Sequence, residues 1–290
     1  MMKIDPKNER KITQIQSFIQ TTISRYHFSG VVIGISGGID SALTACLAVK
    51  ALGAHRVFGV LMPDRDSART TLRDSKLVCE HLQIAYKIIS LSPLLRKIGV
   101  YRLHPPAKLF PRFIQERYVQ NAFRNEREHP YLLDLQNQGS PRFRRGQAFY
   151  RIKHRLRNVL LYFEAEQRGA AVLGCTNKTE LLTGLYVKWG DDSADISPIA
   201  HLYKTEVFQL AEAVGLPVEI IRKPPSPDLV PGLTDEFALG LSYCEIDRIL
   251  QKIERQESLI DENADHVQYL RMISANLSLR KLKSAYLEGD

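Results

Sequence analysis

The chain is expected to fold as an α/β domain, a doubly wound and mainly parallel sheet with helices on both faces. Three observations lead there. Short continuous apolar runs read as strands buried on both faces, helical stretches separate them, and a Gly-rich turn joins the first such strand to a helix. Residues 10–27 open the chain with apolar groups at Ile12, Ile15, Phe18, Ile19 and Ile23, the spacing of an amphipathic helix. Gly30 to Ile35 is a strand, Ser41 to Leu52 a helix stopped by Gly53, and Arg56 to Met62 the second strand. Thr70 to Leu82 reads as a helix and Ala85 to Ile89 as the third strand. A long helix from about Tyr150 to Arg168 precedes a fourth strand, Ala170 to Gly174.

Between Ser92 and Phe149 the rhythm breaks. Pro93, Pro105, Pro106, Pro111, Pro130 and Pro141 alternate with arginines and aromatics, so 92–149 is expected to be a basic insertion within a single domain of residues 1–290. Short helices are expected within it around 112–126. Residues 243–290 form a helical tail, with two helices expected between Tyr243 and Glu288.

Composition narrows the class. The chain is 44% apolar and 25% charged, as in ordinary soluble proteins, and no run approaches the ~20 apolar residues of a membrane helix. The first residues carry acidic groups and no apolar signal core, so the expected location is the cytoplasm. Cys46, Cys79, Cys175 and Cys244 are widely spaced, which argues for reduced, mostly buried thiols rather than disulfides or a zinc site. The net charge of +8 is uneven. Residues 96–157 hold 15 Lys and Arg against 4 Asp and Glu, a local +11, leaving −3 elsewhere. Such a segment suits an anionic ligand, or is simply a solvated basic face.

The chemistry begins at Gly34-Ile35-Ser36-Gly37-Gly38-Ile39-Asp40-Ser41. A helix N-terminus presents unpaired N–H groups to an anion, and glycines let the backbone curl around phosphate oxygens. Ser36 and Ser41 add hydroxyls, while Asp40 offers a carboxylate suited to Mg²⁺ beside a phosphate. No Gly-Lys-[Ser/Thr] follows, so this is not the Walker loop, nor is it the dinucleotide fingerprint.

Ser36-Gly37-Gly38-Ile39-Asp40-Ser41 resembles the pyrophosphate loop of the ATP pyrophosphatases, which cleave ATP between its α and β phosphates. The second half of the chain resembles one branch of that superfamily, the ammonia-dependent NAD synthetases. The likeness runs through Leu173 to Gly184, Val187 to Ile199, Leu202 to Thr205, Lys223 to Leu229 and Leu239 to Asp247, with Met62 to Ser67 and Lys153 to Arg157 upstream. It covers residues 30–90 and 151–250, and several ordered motifs are far more specific than any one of them.

The resemblance implies ATP-dependent amidation of deamido-NAD to NAD through an adenylated carboxylate, with release of pyrophosphate and AMP. It implies that Gly34, Ile35, Ser36, Gly37, Gly38, Ile39, Asp40 and Ser41, with Cys175, Lys204 and Ser226, contact ATP. Asp40 and Glu180 would hold Mg²⁺, and Arg155, Lys188 and Asp195 would bind deamido-NAD. Family members are homodimers, which implies the same here. Glutamine-using relatives carry an additional amidase domain that 290 residues do not accommodate, so ammonia is the expected donor, free or delivered by a separate protein.

The chain departs from the family pattern at several points. Cys175 stands where the family usually has Thr, and Arg151 and His154 stand where Asn and Ala are expected. The C-terminal His-Lys pair is missing, with Arg280 or Lys281 as the replacement. Two other readings stay open: an adenylating enzyme acting on RNA, suggested by the basic segment and its aromatics, though a nucleic-acid partner is not the leading expectation, and an ATP-binding paralogue with altered catalysis.

Overall fold

A computed structural model describes residues 5–68, 70–103, 129–226 and 234–283. Its centre is a four-stranded parallel sheet of β1 (Val31–Gly34), β2 (Val57–Leu61), β3 (Ala85–Ile88) and β4 (Ala171–Leu173) in the order β3-β2-β1-β4. The chain winds outward from β1 through β2 to β3, then returns to place β4 on the other side of β1. The strand order therefore reverses between β1 and β4. The carboxyl ends of those two strands face the crevice where open α/β sheets bind ligands.

The apolar runs explain the sheet. Val31, Val32, Ile33, Val60, Ala171 and Val172 are all 1% exposed or less, as strands covered on both faces require. One face is covered by α1 (Pro6–Arg25) and α2 (Ile39–Leu52), which bury Ile15, Ile19, Leu43 and Leu47. Asp5 caps α1 by accepting the Lys7 N–H at 3.0 Å, and Pro6 occupies the first turn, where no N–H partner is needed. Phe18, counted above in the apolar stripe, is 48% exposed and off the buried face, which runs through Ile12, Ile15, Ile19 and Ile23. Between β2 and β3 lies α3 (Thr71–His81), and Gly59 on β2 admits its Cys79, whose Sγ would be 3.3 Å from an added Cβ.

The opposite face is covered by α6 (Pro141–Glu166), nine residues longer at its start than expected. Ser140 accepts the Phe143 N–H at 3.2 Å and Pro141 sits in the first turn, so the helix is capped there. Its opening turns, with Arg142, Arg144 and Arg145, show no apolar stripe, which is why periodicity placed the start near Tyr150. The flanks of the 92–149 segment belong to the body. Leu91, Leu95 and Val100, in and beside α4 (Ser92–Lys97), pack with Val32 and Val60, while Tyr131, Leu132 and Leu135 of α5 (Pro130–Leu135) enter a second cluster under the C-terminal helices. The helices expected at 112–126 lie outside the described residues.

The C-terminal half contributes α7 (Lys178–Thr183), α8 (Lys204–Ala213), α9 (Val218–Ile221) and α10 (Asp235–Leu239). Three further helices follow rather than the two expected: α11 (Tyr243–Glu254), α12 (Ala264–Ala275) and the short α13 (Ser278–Lys281). The cysteines are free, but only Cys46 and Cys79 are buried; Cys175 is half-buried and Cys244 exposed. Among the described residues no helix is long and apolar enough to cross a membrane.

Gly184 fastens the tail to the body. It ends α7 at φ +79°, and a Cβ there would lie 2.5 Å from Leu277 Cδ2 and 2.8 Å from Leu135 Cδ2. Gly184→Ala is expected to cost about 2 kcal/mol, read as a lower midpoint in urea unfolding with an unchanged slope.

Candidate active site

The site grows from the strand order. At the end of β1 the chain turns at Gly37 (φ +72°) and enters α2 behind Gly38, which caps the helix without a side-chain bond. The first N–H groups of α2 therefore face the crevice, as an anion site needs. Ile35 and Ile39 are buried in the core at 2% and 3% exposure, so only their backbone faces the loop. The two serines brace the turn. Ser41 Oγ donates to the Gly38 carbonyl at 3.0 Å and accepts the Ser36 N–H at 3.3 Å, and the two hydroxyls are 3.1 Å apart.

Asp40, in the first turn of α2, joins this loop to the C-terminal half. Its Oδ1 accepts from Asn177 Nδ2 at 2.9 Å, and its Oδ2 accepts from Lys204 Nζ at 2.5 Å. Asn177 is wholly buried and also caps α7, taking the Glu180 N–H at 3.0 Å, while Glu180 accepts the Asn177 N–H in return. Lys204, 1% exposed, begins α8. Thr179 fixes it there: its hydroxyl donates to Asp247 at 2.5 Å and accepts the Lys204 N–H at 2.9 Å, and Asp247 also takes the Thr205 N–H at 2.7 Å.

Lys204 is ringed by acids. Asp235 is buried and accepts the Tyr243 hydroxyl at 2.9 Å, and the Tyr243 ring centroid is 5.2 Å from Lys204 Nζ. Burial works against the ammonium, but Asp40, Glu180 and Asp235 outweigh it and raise the Lys204 pKa. Burial and the neighbouring Asp40 push the Glu180 carboxyl well above the usual carboxylate range, with Lys204 opposing. Three acidic groups thus crowd one ammonium, and a divalent cation with hard oxygen preferences would favour their ionised forms. Among the described residues no three His, Cys, Asp or Glu side chains are grouped to hold a metal ion by themselves. A pair of carboxylates completed by phosphate oxygens is how Mg²⁺ is ordinarily held beside a nucleotide.

Cys175 follows β4, and burial and Asp40 raise its thiol pKa, so the sulfur stays protonated. Ser226 is exposed at the end of a described stretch, beyond Lys223, whose ammonium reaches the Gly37 carbonyl at 3.3 Å. Arg155 and Lys188 come together. The Arg155 Nε donates to the Lys188 carbonyl at 3.1 Å, and among the described residues its two terminal amino groups have no partner. Asp195 has other partners, accepting the Val172 N–H at 2.7 Å and the Tyr162 hydroxyl at 3.3 Å.

The departures noted in the sequence have structural partners. Arg151 bonds the Asp134 carboxylate at 2.8 Å and its carbonyl at 3.0 Å. His154 lies 3.4 Å from Asp191, its pKa lowered by burial against the pull of that carboxylate, and Gly190 packs on its Cβ. A cavity of about 240 Å³ opens between Lys188, Trp189 and Asp192 and the tail residues Arg280, Lys281 and Lys283. Arg280 is committed to Asp134 at 2.5 Å, whereas Trp189 is 52% exposed.

Asn177, Thr179, Asp235, Tyr243 and Asp247 had no role assigned from sequence. Asn177 and Thr179 do carry a readable signal, the Asn-x-x-Glu cap opening α7, but their tertiary partners are 25, 68 and 137 residues away.

These features define a class: an α/β nucleotide-binding protein with a phosphate loop at its strand-order reversal and an acid–lysine cluster beside it. The NAD synthase family model matches residues 11–111 and 135–286. The NH(3)-dependent NAD(+) synthetase of Thermotoga maritima is 53% identical over 257 residues, covering 89% of this chain and 92% of that protein. The enzyme of the same name from Coprothermobacter proteolyticus is 41% identical, covering 86% of each. Among solved structures, NMN synthetase from Francisella tularensis superimposes with a TM-score of 0.73 at 27% identity, covering 99% of this chain and 100% of that one. The NH3-dependent NAD synthetase of Campylobacter jejuni gives 0.68 at 26%, covering 97% and 99%. The chain belongs to the NAD synthase family.

Asn177→Ala removes both the α7 cap and a donor to Asp40. The expected cost is about 1–2 kcal/mol of stability, visible as a lower melting temperature by calorimetry.

Proposed function

We propose that this chain forms NAD from deamido-NAD, ATP and ammonia, with Mg²⁺ at Asp40 and Glu180. The observation that carries the reading is the Asp40 junction, where the phosphate loop meets Lys204 and the α7 cap. The nicotinate carboxylate is a poor electrophile because it is anionic. Its oxygen attacks the α-phosphorus of ATP, the α–β phosphoanhydride bond breaks, and pyrophosphate departs. Ammonia then attacks the carbonyl carbon, the bond to AMP breaks, and a proton passes to solvent.

The residues divide that work. The loop N–H groups of 36–41 hold the phosphates, and Lys204 carries charge to the departing pyrophosphate. Cys175 and Ser226 complete the ATP contacts. Bound Mg²⁺ supplies charge neutralisation at the phosphates. Arg155 and Lys188 face the anionic groups of deamido-NAD, Asp195 accepts its hydroxyls, and the cationic tail residues at Lys281 and Lys283 line the adjoining cavity. The likeness to an NMN synthetase favours a second acceptor, nicotinate mononucleotide, which presents the same carboxylate.

A homodimer is also part of this reading, supported by an exposed apolar face of α6 that carries Val159 at 63% and Phe163 at 56% exposure. Light scattering of the purified chain gives the mass, and a monomer at assay concentrations refutes the dimer.

The test incubates the full chain with ATP, Mg²⁺ and ammonium and either acceptor. The expected result is AMP and NAD from deamido-NAD, with slower turnover of the mononucleotide. AMP formed from neither acceptor refutes the function, and faster turnover of the mononucleotide reassigns the substrate. Lys204→Met is expected to lower kcat by about 10²–10³-fold, measured as AMP release, with KM for deamido-NAD held within about threefold.

A further inference from the structure

Lys223 has no part in the assignments above, yet it touches the phosphate loop. It follows α9, and its Nζ donates to the Gly37 carbonyl at 3.3 Å and pairs with Asp74 Oδ2 at 3.0 Å. Gly37 is the positive-φ pivot of the loop. A Cβ there would lie 2.8 Å from Asp74 Cβ and 2.9 Å from the Ser75 nitrogen, so the loop, α3 and Lys223 meet at one point. Asp74 is 4% exposed, and although burial opposes its charge, Lys223 and Arg73 hold its carboxyl below the usual range. It is therefore an ionised anchor. The Lys223 side chain keeps 26% of its exposure, and an ammonium has three N–H donors, of which Gly37 and Asp74 take two.

We propose that Lys223 is a further phosphate-binding residue, its ammonium anchored on Asp74 and its third N–H given to an oxygen of the ATP triphosphate and then of the departing pyrophosphate. The inference rests on the reading of the loop as an ATP site. A charge fixed at the loop rim adds to the backbone N–H groups without bending the loop, because its reach is set by Asp74 rather than by the ligand. Pro224 and Pro225 follow directly and restrict the chain that leads to Ser226, so the anchor also sets where Ser226 starts.

The test measures inorganic pyrophosphate binding to the full chain by calorimetry, beside KM for ATP and for deamido-NAD. Lys223→Met is expected to weaken pyrophosphate binding and raise KM for ATP, each about tenfold, with KM for deamido-NAD unchanged. Lys223→Arg, which keeps charge and anchor, is expected to retain binding within about threefold. Should the apolar variant fail to fold, Lys223→Gln reads the same loss. Pyrophosphate affinity unchanged in a folded Lys223→Met or Lys223→Gln protein overturns the proposal and leaves Lys223 a brace between α9 and α3. If the unaltered chain binds pyrophosphate through Lys223 but releases no AMP with deamido-NAD, the proposed function falls and this inference stands.

Discussion

The contact between Asp40 and Lys204 is the constraint on which the site depends. One partner is in the first turn of α2 and the other in the first turn of α8, 164 residues apart. A lysine that is 1% exposed stays charged because Asp40, Glu180 and Asp235 surround it. The pair therefore holds the two halves of the chain at one spacing. It also stores charge beside the proposed phosphate site, where cationic charge counts most once water is excluded.

The sheet order is what brings those halves together. Because β4 lies beside β1, the turn after β1 and the turn after β4 open into the same crevice. The loop and Asp40 come from the first turn, Cys175 and Asn177 from the second. Thr179 and Asp247 then align α7 with α8, so that Lys204 points back toward Asp40. The residues proposed to bind deamido-NAD follow the same logic. Asp195 is bonded to the Val172 N–H of β4, while Arg155 reaches the Lys188 carbonyl from α6 on the other face of the sheet.

Much of this was legible in the residues. Continuous apolar runs identify β1, β2 and β4 because burial on both faces leaves no alternation to blur them, whereas β3 is largely exposed. The phosphate loop is readable because its chemistry is local: two glycines, two hydroxyls and a carboxylate within eight residues. Other features were not readable, each for a physical reason. The start of α6 was hidden because its first turns are held by a Ser140–Pro141 cap and not by an apolar stripe. Phe18 sits at helical spacing yet faces solvent, since a stripe about 100° wide has edges that spacing alone does not resolve. The acid ring around Lys204 was hidden because Asp235 and Tyr243 reach it only through the fold.

The central claim is that this cluster serves to activate a carboxylate by transferring AMP to it. The most direct measurement follows oxygen. With ¹⁸O in both carboxylate oxygens of deamido-NAD, the account predicts that one labelled oxygen leaves in the phosphate of AMP and the other stays in the amide of NAD. AMP released without label, while NAD forms, would contradict it.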